Sequence, residues 1–198
     1  MPYQESSWNL TKIKPRDVRI ALSNISREAA SLEKKRSHLH TISIPQFVTL
    51  LQEMEQFKSL TSTLGCYVYL HASEDSSHQQ AAAEMSLVEN ELTKIGNRLL
   101  FFSLWFKDLP ERKAKEFIAL SGKNRYYLES IRKTRQYTLG ENEEKIINIK
   151  DVTGHIALTS VYNIFTSQFR FPFQGREMIQ EELTVKVRNP SPKIREQA

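Results

Sequence analysis

Cysteine, glycine and proline are the scarce residues of this 198-residue chain, which has one, six and seven of them. A single cysteine, Cys66, excludes an internal disulfide framework and suits a reducing compartment, so a cytoplasmic location is expected. So few glycines and prolines argue against a loop-rich all-β fold, which spends turn residues every few positions. No apolar run approaches the roughly 20 residues that span a bilayer, so no membrane partner is expected. The opening Met1-Pro2-Tyr3-Gln4-Glu5 lacks the charged-then-apolar layout of a secretory signal. Catalytic signatures are also missing: there is no His-Glu-x-x-His, Cys-x-x-Cys, glycine-rich phosphate loop or Gly-x-Ser-x-Gly elbow. The sequence therefore offers no catalytic, cofactor-binding or metal-ligating residue, and no cofactor is expected in this chain.

What it does have is helical periodicity. Val18, Leu22, Ile25, Ala29 and Leu32 alternate steps of four and three, with Leu39 one heptad on. That seam predicts a helix from Pro15 to about His38. Ser43-Ile44-Pro45 restarts the chain, and Phe47, Leu50, Leu51, Met54 and Phe57 continue through Leu60 and Leu64 to Tyr69. Gly65 is expected either to weaken that helix or to admit its neighbour closely. The polar run Ser73 to His78 reads as a link. Met85, Val88, Leu92, Ile95, Leu99, Phe102 and Phe106 then repeat in heptad order. Three long helices with narrow seams and short links predict an antiparallel bundle or hairpin.

Shorter pieces follow. Glu111 to Leu120 reads as a helix closed by Ser121-Gly122, and Arg125 to Arg135 as another. Gly140 precedes a helix whose first turn is acidic, where the macrodipole favours negative charge. Gly154 is expected to break it, and helical spacing resumes from Ile156 to Phe165. Phe169 to Phe173 alternates in period two, Gln174-Gly175 reads as a turn and Arg176 to Met178 as a returning strand. Glu181 to Val187 reads as a last short helix. The fold class is thus mainly α: an antiparallel long-helix bundle, then shorter helices, with a short β-hairpin near the C-terminus. Two parts are expected, residues 1–168 and 169–198.

Few clusters suggest chemistry. His71, Glu74 or Asp75, and His78 would share a helical face at a spacing that suits zinc. The intervening serines, however, read as a solvated loop. His38 and His40, two apart, point away from each other on a helix, and His155 reads as a packing or capping residue. Cys66 reads as a small buried hydrophobe. Glu143-Glu144 and Glu181-Glu182 read as surface charge and helix-start chemistry. Between Glu111 and Tyr137, eight Lys or Arg face three Glu, an excess of five that equals the whole net charge of +5. With Tyr126, Tyr127 and Tyr137 interleaved, this stretch raises nucleic-acid binding as a weaker alternative.

The tail, Asn189 to Ala198, places Ser191 as an N-cap and Pro192 at the first helical position. It reads as the start of a helix that continues in a longer protein. The order of pieces resembles the N-terminal region of the oligoendopeptidase F family, within the thimet-type zinc metallopeptidases. Trp8-Asn9-Leu10 is similar to the family's opening Trp-x-Leu. Tyr126 to Leu139 resembles the segment before its Leu-x-x-x-Glu-Glu helix, here Leu139 to Glu144. Thr153-Gly154 and Val161-Tyr162 resemble the helix after it, and Phe169-Arg170-Phe171 its Phe-x-Phe strand. The tail resembles Ser-Pro-Asp-x-x-Arg-x-x-Ala, with Lys193 in place of the acid.

The resemblance implies a peptide hydrolase whose zinc is held by a His-Glu-x-x-His helix and a later Glu in a C-terminal catalytic domain, none of which maps onto this chain. It also implies that these helices form part of the wall of a channel admitting short peptides. The expected function is the non-catalytic portion of such an enzyme, inactive alone, with oligopeptides as partners through the catalytic domain. A free-standing helical interaction module is the alternative.

Overall fold

The computed structural model describes residues 9–74 and 78–198. Trp8 and Asp75 lie outside them. The chain packs as two compact units, Met1–Val152 and Thr153–Ala198. The division expected at 168/169 therefore falls inside the second unit.

In the first unit, α1 (Val18–Lys34) starts at Asp17, whose carboxylate accepts the Ile20 N–H at 2.8 Å. Pro15 thus precedes the helix instead of belonging to it. Past Lys34 the chain tightens into a 3-10 stretch, Lys35–Thr41, where an α-helix to His38 was expected. Such tightening is common where a helix ends and the chain must turn, and it still buries Leu39. α2 (Ile44–Glu74) follows Ser43, whose N–H and hydroxyl both donate to Gln46 Oε1 at 2.9 and 2.8 Å. α3 (Gln79–Asp108) starts at His78, whose Nδ1 accepts the Ala81 N–H at 3.0 Å.

The register of α2 and α3 is antiparallel. Phe47, at the start of α2, lies 6.4 and 6.0 Å from Phe102 and Phe106 near the end of α3, while Gly65 faces Leu92. α1, α2 and α3 each pack against the other two. The expected seams form the core: Leu22, Ile25, Ala29 and Leu32 from α1, with Val88, Ile95, Leu99, Phe102 and Phe106 from α3, are all buried. Tyr69 is a departure, being exposed while Tyr67 and Val68 are buried. At roughly 100° per residue, Val68 returns to within about 40° of Leu64 but Tyr69 lies about 140° away. Leu60 is exposed too, on the rim of a groove shared with Ile13 and Leu64. α2 runs unbroken through Gly65.

α4 (Glu111–Leu120) ends as its sequence suggests, with Gly122 in the left-handed region at φ +57°. Phe117 stacks on Phe47 with centroids 4.3 Å apart, so one aromatic side chain joins α2, α3 and α4. α5 (Arg125–Lys133) packs on α3 and α4. A short 3-10 turn, Arg135–Tyr137, leads to α6 (Glu141–Asp151), which packs on α3. Gly154 does not break the helix. It sits in a π-helical turn, Val152–Ile156, because a single-turn π-bulge accommodates an irregular residue without ending helical hydrogen bonding.

The second unit contains α7 (Ala157–Gln168), β1 (Phe171–Phe173), β2 (Arg176–Met178), α8 (Gln180–Val187) and α9 (Pro192–Gln197). β1 and β2 pair antiparallel with Phe173 opposite Arg176. The two-residue turn has positive φ at Gln174 (50°) and Gly175 (75°), the conformation that matches strand twist in tight hairpins. α9 begins at Ser191 as expected, but the serine hydroxyl makes no cap. Asn189 Oδ1 accepts the Ser191 N–H, and Arg195 donates to the Asn189 and Pro190 carbonyls at 2.7 and 2.9 Å. Among the described residues, no helix is long and apolar enough to cross a membrane.

Candidate functional site

The two histidines singled out from the sequence do approach each other, with ring centroids 5.9 Å apart. Their other contacts are structural. His71 stacks on Tyr67 at 5.5 Å, and His78 spends its Nδ1 on the start of α3. His71 Nδ1 is buried without a hydrogen-bond partner. Glu74 is exposed, and Asp75 lies outside the described residues. Among the described residues no group of three or more His, Cys, Asp or Glu is placed to hold a metal ion. Cys66 is exposed, which corrects the buried position expected of it. It lies about 200° around α2 from buried Leu64, on the opposite face. His155 is likewise exposed, in the π turn, not packed.

The basic stretch divides into paired and structural charges. Arg132, with a side chain only 11% exposed, reaches back to the end of α3. Its Nη1 donates to the carbonyls of Phe106, Lys107 and Leu109 at 3.2, 2.5 and 2.9 Å, and its Nη2 to Glu111 at 2.7 Å. Those carbonyls are among the four that every helix end leaves without partners. Arg132 thus caps α3 from another helix and, through hydrogen bonding, holds the Glu111 carboxyl below the usual range. Lys123 pairs with Glu55 at 2.8 Å and lowers that carboxyl, and Arg125 pairs with Glu129 at 2.8 Å. Lys113 lies over the Phe117 ring. These four of the eight cations of the stretch are thus engaged in separate contacts.

The two acidic pairs start helices, as their sequence position implies. Glu144 accepts the Leu139 N–H at 2.9 Å ahead of α6, and Glu182 accepts the Ile179 N–H at 3.1 Å ahead of α8.

The feature that sequence reading missed is the orientation of α6 and of α7. α6 has no buried residue; its half-buried positions are Glu141, Glu144, Lys145 and Asn148, which share one face with half-buried Val152 just past its end. Four of those five are polar. Arg36 grips Glu141 with two hydrogen bonds, of 3.0 and 2.7 Å, and Asn148 donates to buried Asn97 at 2.7 Å. Hydrogen bonds from Arg36 and then Lys145 hold the Glu141 carboxyl below its usual range. Meanwhile Ile146, Ile147 and Ile149 are exposed. Within the second unit, α7 shows the same inversion. Leu158, Val161, Tyr162 and Phe165 share one face and are 61–70% exposed, while Ser160 and Ser167 on the other side are half-buried. A globular helix ordinarily turns its apolar stripe inward. Fully covering those four side chains would be worth on the order of 5 kcal/mol at about 1.5–3 kcal/mol per large apolar side chain, discounted for the parts already covered. Contiguous apolar surface of this kind marks a place where another surface seats.

The sequence model of the family described as Oligopeptidase F, an N-terminal region of M3-type peptidases, matches residues 105–171. The match runs from Trp105 in the last turns of α3 to Phe171 at the start of β1. It encloses both inverted helices and the motifs quoted from Tyr126 to Phe171. The Trp8-Asn9-Leu10 and Asn189–Ala198 motifs lie outside it. No curated protein and no solved structure matches the chain.

Proposed function

We propose that this chain, which carries the oligopeptidase F N-terminal region, is the non-catalytic helical portion of a zinc-dependent oligoendopeptidase and forms part of the wall of its substrate channel. The match over residues 105–171 carries this reading. Two physical features support it. The α2–α3 pair is a rigid antiparallel hairpin braced by the Phe47 cluster, suited to limiting access by shape. α6 and α7 turn apolar side chains outward, as expected of helices that seat a further domain. In this reading the zinc, its His-Glu-x-x-His helix and the oligopeptide substrates belong to that domain, and the protein acts in the cytoplasm.

The test has two arms. The genomic sequence following the codon for Ala198 is expected to continue in frame into a His-Glu-x-x-His helix; a stop codon there would favour the free-standing interaction module, whose partner would use the same outward faces. The purified chain, incubated with a quenched fluorescent oligopeptide and added zinc, is expected to leave it intact. Chelator-sensitive cleavage would show that these residues are themselves a peptidase.

A further inference from the structure

A cleft of about 460 Å³ in the first unit opens among three elements: the Lys35–Thr41 stretch, the last turns of α3 and the link from Arg135 into α6. That volume lies within the roughly 300–1,000 Å³ typical of small-molecule sites. Its apolar lining comes from Leu39 and Phe101, both buried, with half-buried Leu104 and Trp105. Its charged groups are Arg36, Lys107 and Arg135 against Asp108 and Glu141, an excess of one positive charge beside the His40 imidazole. Two of the cations are engaged: Arg36 with Glu141, and Lys107 with Thr138 Oγ1 at 2.8 Å. The Arg135 guanidinium, on the rim of the cleft, makes no hydrogen bond or ion pair with the described residues. An aromatic and aliphatic lining beside a single uncommitted guanidinium is complementary to a small amphiphilic monoanion. A dianion would meet the two carboxylates, and a neutral molecule would leave the guanidinium unused. Guanidinium geometry favours two parallel hydrogen bonds to a carboxylate.

The geometry points to this cleft as a binding site for a small monocarboxylate carried on an apolar or aromatic body, with Arg135 holding the carboxylate and Trp105 contacting the body. The chain's two tryptophans are Trp8 and Trp105, so a Trp8→Phe background leaves Trp105 as the sole tryptophan, excited selectively at the red edge where tyrosine does not absorb. Titration with N-acetylphenylalanine is expected to change its emission saturably, with saturation-transfer NMR of the ligand as a second readout. N-acetylphenylalaninamide, which lacks the charge, is expected to bind at least about tenfold more weakly, and phenyl phosphate more weakly than the carboxylate. Arg135→Gln removes an exposed side chain without described partners, so its melting curve is expected to match the parent while its affinity for the carboxylate falls about tenfold. The proposal is overturned by binding absent in both readouts, by an amide that binds as well as the acid, by tighter binding of the phosphate, or by an unaffected Arg135→Gln protein.

Discussion

Replacing Arg132 by methionine is the most direct test of how α3 is finished. Methionine keeps much of the apolar stem and deletes the guanidinium, which serves three carbonyls at the end of α3 from a single nitrogen. That nitrogen has two protons, so no more than two full-strength bonds are lost at that end, each worth about 1.5–3 kcal/mol when the donor is charged. Phe106 and Leu109 are buried while Lys107 is half-buried, so water can re-satisfy only part of the loss. The net cost expected is about 2–4 kcal/mol, since a buried carbonyl left bare costs about 1–3 kcal/mol. In a unit near 150 residues that lowers the melting temperature by roughly 5–15 °C. Urea unfolding followed by Trp105 emission, in the Trp8→Phe background, reads this at the right place, because Trp105 sits in the turn being capped. A lower midpoint at unchanged slope is the expected signature. Glu111→Gln, which alters the exposed fourth partner and its 3.6 Å pairing with Lys115, is the control and is expected to leave the midpoint nearly unchanged, as for other exposed ion pairs. A loss below about 1 kcal/mol for Arg132→Met, within the range of ordinary surface changes, would refute the capping role.

Gly65→Ala and Gly96→Ala are each expected to raise stability by about 0.5–1 kcal/mol in the same assay, because helix interiors favour alanine. A Cβ at Gly65 would lie 3.9 Å from Leu92 Cδ1 and one at Gly96 would meet nothing within 4 Å, so a loss at either would mean the helices pack more tightly there. Glu141→Gln is expected to cost about 0.5–1 kcal/mol at neutral pH, as for other partly exposed ion-pair networks. Because Arg36 and Lys145 depress the folded-state pKa, this contribution is full above the usual carboxylate value of about 4.3 and fades as pH falls through the lower folded one. The gap to the parent should therefore close in acid, and a gap that ignores pH would contradict the ionic origin. Phe47→Ala is expected to cost about 3–5 kcal/mol by opening the hub of the aromatic cluster; a loss under about 1 kcal/mol would show that the neighbouring rings collapse to fill it.

Much of this fold is legible in the sequence where one periodicity meets one burial face. α3 is the clearest case, since its heptad residues all pack inward, and Gly122 and Gly140 stand where their helices end and begin. The same heptads hide that α3 is covered on more than one side. Asn97 and Phe101 are both buried, and Asn97 bonds Asn148 of α6. Arg132 shows a second kind of blindness. Counted as surface charge, it lies four residues after fully buried Leu128 and so on the inner face of α5, a placement that periodicity already contained. The outward faces of α6 and α7 were not legible, because helical spacing fixes where an apolar stripe lies but not what it faces. Nor was the π turn at Gly154, since glycine permits both an interruption and an irregular continuation.

The polar attachment of α6 also sets how the first unit breathes. A helix with no buried side chain, held by ion pairs and an asparagine contact, has little apolar burial to lose on detaching. Its amide protons should therefore exchange with solvent through local opening, at a free energy well below that of global unfolding. Those around Phe47, Val68 and Phe102 should exchange only when the bundle opens as a whole. The expected pattern is a graded ladder of opening, with the segment bearing Ile146, Ile147 and Ile149 on a low rung. Any partner that covers those isoleucines should slow exchange throughout α6 while leaving the core protons unchanged, giving the docked state a fingerprint of its own.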